Sequence, residues 1–149
     1  DTVAIVGEHL AKFHQKHYEL DGVCSPRIFG DFSIDHIYIN SDDRVISTID
    51  PGANFMVIGN QLEDVARFLL SATETFRYRP FVSVRILKAF VRGYLINKDI
   101  DFNDLKQVLD FRKDRSTAKY RLQKSSVRAR IGAIILNYNR LIIWWALKC

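Results

Sequence analysis

Two aspartates and a histidine carry the chemistry this sequence offers. Asp31 and Asp50 bracket most of the stretch FGDFSIDHIYINSDDRVISTIDPG, residues 29–52, and His36 stands five residues after Asp31. His36 to Asn40 and Val45 to Ile49 are short runs rich in β-branched and aromatic residues, separated by the polar, turn-prone Ser41-Asp42-Asp43-Arg44. That pattern predicts an antiparallel β-hairpin. Strands of similar length bring the loop entering the first strand beside the loop leaving the second, so Asp31 and Asp50 are expected side by side. Two carboxylates in one place suit a divalent cation and a general base.

Gly30-Asp31, a polar residue five positions after the aspartate, a hydrophobic strand, a turn, a second strand and Ile49-Asp50-x-Gly52 together resemble the catalytic core of aminoglycoside phosphotransferase and choline kinase-like enzymes, which share the protein-kinase fold. The resemblance extends upstream to Leu10-Ala11-Lys12-Phe13-His14 and downstream to Asp64-Val65-Ala66-Arg67-Phe68. It implies that Asp31 receives the proton of an acceptor hydroxyl. It implies also that His36 and Asp50 hold Mg2+ (or Mn2+) against the phosphates of ATP or GTP, whose γ-phosphoryl passes to a sugar, aminoglycoside or glycan-type acceptor. Asp64 resembles the family's helix aspartate near the catalytic loop, and as a buried carboxylate it suits backbone N–H groups at least as well as a substrate.

The chain departs from the family pattern at three positions. Phe29 stands where His is usual, His36 where Asn is usual, and Pro51 where an aromatic residue is frequent. Magnesium prefers hard oxygen ligands, and an imidazole nitrogen suits manganese or zinc better. A kinase also needs an upper lobe with a phosphate-covering loop and a lysine, yet no GxGxxG or GxxxxGK motif occurs in these residues. The fold implied is α+β, mainly helical: a protein-kinase-like C-terminal lobe with a short β-hairpin next to the active site and a missing N-terminal lobe as its partner. The same departures also fit a pseudokinase, a kinase-like binding module that is catalytically weak or inactive.

Helices must position this segment. Val3, Val6, Leu10, Phe13 and His17 recur at helical spacing and predict a helix from about Thr2 to Tyr18 that backs the catalytic loop. His9, His14 and His17 lie on it without a nearby carboxylate or cysteine cluster and read as surface or packing residues rather than metal ligands. Asn60 can cap a helix with Glu63 in its first turn and Leu62, Val65, Ala66 and Leu69 on its buried face. Pro80 suits the first turn of the next helix, which Asn97-Lys98-Asp99 ends, and Asp101 can cap another from Phe102 to about Asp114. Asp99, Asp101, Asp104 and Asp110 would be the acidic residues available to a cationic acceptor, although solvated helix ends are the simpler reading.

The 149 residues, 48% of them hydrophobic, suffice for one domain with a sizeable core. Cys24 and Cys149 form no disulfide framework or metal spacing, which suits a reducing, cytoplasmic compartment. The formal charge of +5 is uneven: residues 112–149 carry ten Lys or Arg against Asp114 alone, so +9 lies there and −4 on residues 1–111. We therefore divide the chain into a kinase-like lower lobe, 1–111, and a basic amphipathic helical segment, 112–149, packing on it. In that segment Tyr120, Val127, Ile131, Ile134, Tyr138, Leu141 and Trp145 recur on one helical face. Ile131 to Leu147 is expected to be a buried core helix, too short and too interrupted by Arg140 to span a bilayer. An anionic membrane surface contacted by the basic residues and Trp144 and Trp145 is the second reading, and nucleic acid is the least favoured partner.

Overall fold

The computed structural model describes residues 2–20, 26–40, 45–48, 57–122 and 126–148. Within them the chain is α+β and mainly helical. Its elements are α1 (Thr2–Leu20), a single 3-10 turn (Ile34–His36), β1 (Ile37–Asn40), β2 (Val45–Thr48), α2 (Leu62–Thr75), α3 (Pro80–Leu95), α4 (Phe102–Leu122) and α5 (Ser126–Lys148). The two strands pair antiparallel, with Ile37 opposite Thr48 and Asn40 opposite Val45. The alternation of the sequence thus yields the expected hairpin.

Local chemistry sets the helix starts. Asn60 Oδ1 accepts the Leu62 N–H at 3.0 Å, and Asp101 Oδ1 accepts those of Asn103 and Asp104 at 2.7 and 3.2 Å. These N–H groups have no partner inside their own helix, which is why short polar side chains are favoured there. Pro80 opens α3, where its missing N–H costs nothing. Asp101 is therefore engaged as a cap, and Asp110 pairs with Arg140 at 3.0 Å, joining α4 to α5. Arg112 likewise reaches Glu63 of α2 at 3.0 Å.

The central contact is the crossing of α1 and α3. A Cβ added at Gly7 would stand 2.0 Å from the Phe90 carbonyl oxygen, and one at Gly93 would stand 1.9 Å from that of Ala4. The helices can approach this closely only because both positions lack a side chain. Around the crossing, Val6 and Leu10 of α1, Val65, Phe68 and Leu69 of α2, and Leu87, Phe90 and Tyr94 of α3 are buried. The rings of Phe68 and Phe90 stack with centroids 3.9 Å apart, and Phe32 lies 6.2 and 6.5 Å from them. Phe29 meets Phe32 edge-on at 5.3 Å. A fully buried phenylalanine contributes about 1.5–3 kcal/mol, so Phe29 and Phe32 anchor the segment carrying Asp31 in the core.

One expectation about the last helix is corrected. α5 packs through Ile142, Ile143 and Ala146, whereas Ile131, Ile134, Tyr138, Leu141 and Trp145, the stripe expected to lie in the core, are exposed. Spacing identifies an apolar face but not the direction in which it points. Among the described residues no helix is long and apolar enough to cross a membrane.

Candidate active site

Asp64 organises the loop that carries Asp31. Its side chain is 1% exposed and its two oxygens accept three hydrogen bonds. Oδ2 takes the Phe29 N–H at 2.5 Å and His14 Nε2 at 2.9 Å, while Oδ1 takes the Gly30 N–H at 2.9 Å. On its other side the imidazole of His14 meets the Tyr94 hydroxyl, with Nδ1 at 2.8 Å. Burial, and then the negative charge of Asp64, raise the Tyr94 pKa far above its ordinary value. A hydroxyl that keeps its proton can donate to Nδ1, which leaves the Nε2–H of a neutral His14 to bond Asp64. His14, which reads in the sequence as a surface or packing residue, takes the packing role: it is fully buried and joins Tyr94 of α3 to Asp64 of α2.

The segment leading to the loop is fixed by backbone and amide contacts. Ile28 N–H donates to the Val57 carbonyl at 3.1 Å and Gly59 N–H to that of Pro26 at 2.9 Å. Gln61 Nε2 bonds the His14 carbonyl at 3.1 Å and that of Arg27 at 3.3 Å, and its Oε1 accepts from the Lys98 ammonium. Partial burial lowers the Lys98 pKa. Gly30 then adopts a φ of 99°, a conformation that a side chain would strain. Beyond Asp31, Ser71 of α2 holds the far side by accepting the Ile34 N–H at 3.0 Å.

Asp31 emerges from this frame with its side chain 30% exposed. Its Oδ1 accepts Arg67 Nε at 2.6 Å, and its Oδ2 stands 3.8 Å from His36 Nδ1. The same His36 nitrogen is 3.4 Å from the Asp31 carbonyl oxygen. Because both members of the Asp31–Arg67 pair are substantially open to water, the pair adds no more than about 1 kcal/mol to stability. Its effect is orientation: Arg67 occupies Oδ1, while Oδ2 faces the His36 imidazole.

No family model, curated protein or solved structure matches the chain. The arrangement of its own side chains therefore carries the functional reading. Of the three residues with expected chemical roles, Asp31 and His36 are brought together, and Asp50 lies outside the described residues. Thr48, the last residue of β2, pairs with Ile37, so the strand ends beside the residue that follows His36. Among the described residues no group of three or more His, Cys, Asp or Glu side chains could hold a metal ion. One imidazole and one carboxylate already paired to Arg67 do not by themselves make a magnesium site. Asp35 faces Thr75, whose hydroxyl is 3.5 Å from Oδ1. Asp42, Asp43, Cys24 and Cys149 lie outside the described residues, as does the side chain of His17.

Two site residues were not singled out from the sequence for these roles. Arg67 lies three residues after Asp64 on α2, the spacing at which helix side chains share a face. That signal was available for an arginine next to the loop Asp64 holds. Tyr94 ends the apolar stripe of α3 and reads as core. Only its distance to His14 reveals the polar role.

Proposed function

We propose that this chain is the lower lobe of a protein-kinase-like small-molecule phosphotransferase, with Asp31 as its catalytic base. The observation that carries the reading is the contrast between two carboxylates. Asp64 is buried and engaged in holding the backbone at Phe29 and Gly30, while Asp31, one residue further on, is 30% exposed, with Oδ1 on Arg67 and Oδ2 3.8 Å from His36 Nδ1. A carboxylate held by a rigid frame and reachable from solvent is what a hydroxyl-activating base requires.

In this reading the acceptor hydroxyl gives its proton to Asp31 Oδ2. Its oxygen bonds to the γ-phosphorus of ATP or GTP as the bond to the β,γ-bridging oxygen breaks, and the nucleoside diphosphate leaves. Arg67 keeps Asp31 oriented and adds positive charge beside the transferring group. Bound Mg2+ or Mn2+ would offset phosphate charge, with Asp50 and His36 as the residues proposed to hold it. The phosphate-covering loop and lysine would come from a second lobe.

The test is phosphoryl transfer by the full-length protein to a panel of hydroxyl acceptors. Asp31→Asn is expected to lower the rate by about 10^2–10^4-fold, the usual contribution of a positioned base, with nucleotide binding retained. Transfer that survives this change would remove Asp31 from the role. The kinase-like binding module is favoured by one observation, the Arg67 guanidinium already paired with Asp31 Oδ1 at 2.6 Å. Metal-dependent transfer or nucleotide hydrolysis would exclude it.

A further inference from the structure

The residues from Thr75 to Lys98 contain six cations, Arg77, Arg79, Arg85, Lys88, Arg92 and Lys98, and no carboxylate; Glu74 and Asp99 flank the run. This positive stretch lies within the part of the chain whose overall formal charge is negative. The helix α3 displays much of it. Arg85, Lys88 and Arg92 line a groove of about 560 Å³ between α3, the start of α4 and the end of α5, whose remaining walls are apolar: Ala89, Val91, Leu95, Phe102, Ala146 and Leu147. Beside it, Phe81 is 71% exposed and meets the half-exposed Trp145 edge-on at 5.7 Å, and Leu141 is 68% exposed. Tyr78 is more exposed still.

We propose that this face docks on an anionic phospholipid surface and that the groove takes part of one lipid, its phosphate against the cations and its upper acyl chain against the apolar walls. Cations interleaved with exposed aromatic rings are the composition of a surface that lies in a membrane interface, where Trp, Tyr and Phe sit at headgroup level and Lys or Arg meets lipid charge. A small soluble anion would make no use of Phe81, Trp145 and Leu141. A symmetric self-contact through the face would oppose like charges, which disfavours a second copy as the occupant. This inference does not rest on the phosphotransfer reading.

The test is co-sedimentation of the full chain with vesicles of phosphatidylcholine alone, and with vesicles in which roughly one-third of the lipid is phosphatidylglycerol. Binding to the second and little to the first is expected, declining as salt is raised. Each cation near such a surface is worth about fivefold in partitioning, so Arg85→Gln with Lys88→Gln should weaken binding ~25-fold. Phe81→Ser should weaken it as well, while circular dichroism and melting temperature stay unchanged because all three side chains are exposed. Equal binding to both vesicle types would overturn the proposal, as would undiminished binding by the double variant. Undiminished binding by Phe81→Ser would overturn the interfacial insertion. Retention of a single-stranded oligonucleotide, or self-association, without vesicle binding would assign the face to a different partner and overturn the proposal.

Discussion

Replacing Asp64 by asparagine separates the framework of the site from its chemistry. The carboxylate, itself buried, receives two buried donors on Oδ2 and one part-buried donor on Oδ1. An amide has one oxygen, so Asp64→Asn leaves at least one donor facing an NH2 group. The bonds that remain lose their charge assistance. A hydrogen bond to a charged group is worth about 1.5–3 kcal/mol, and an unsatisfied buried donor costs a similar amount, so a loss of ~3 kcal/mol is expected. For 149 residues the unfolding entropy is roughly 0.3 kcal/mol/K. The melting temperature should therefore fall by about 10 °C. Calorimetry measures that fall, and hydrogen exchange at the Phe29 and Gly30 amides locates it. Asp31→Asn is the control: it disrupts a solvent-screened pair and should cost at most ~1 kcal/mol. If the two variants melted together, the division between a structural and a chemical aspartate would be wrong.

The α1/α3 crossing should tolerate no methyl group. Gly7→Ala and Gly93→Ala each place a Cβ against backbone, so losses of about 3 kcal/mol are expected, read from denaturant midpoints at constant slope; unchanged midpoints would mean that the helices are not in this register. His9 makes stability depend on pH. Burial, and then the charge of Lys12, hold its folded-state pKa below the ordinary value. The unfolded chain therefore takes up the proton first, and stability falls as pH drops through the region of about 6.5 and below. Urea melts of His9→Gln should show a flatter profile over that window, and an equally steep one would point to another group.

What was legible in the sequence is what neighbouring residues decide. The hairpin followed from alternation, and the starts of α2, α3 and α4 followed from Asn60, Pro80 and Asp101 acting on N–H groups within a turn. Asp64 could be recognised as a residue that holds backbone because its position relative to Gly30-Asp31 resembled a known arrangement. The partners of these groups were harder to read. His14 and Tyr94 are 80 residues apart, and only the packing of α1 on α3 joins them. The positive run of α3 was obscured by counting charge over residues 1–111, where scattered Asp and Glu outweigh it. The stripe of α5 misled because Ile142, Ile143 and Ala146 offer a second apolar face on the same helix, and tertiary contact chooses between the two.

The hydrogen bonds meeting at Asp64 and His14 also bear on how the protein folds. They join positions 34, 35, 50 and 80 residues apart in the chain. Contacts of such separation form only after a large loss of chain entropy, so they complete late in folding rather than seed it. The turn at Gly30 has no local ladder to hold it in the meantime. Asp31 therefore reaches its place in the fold when α1, α2 and α3 have already docked. During refolding, any activity that depends on Asp31 should appear with the slowest structural phase, after helix content has recovered.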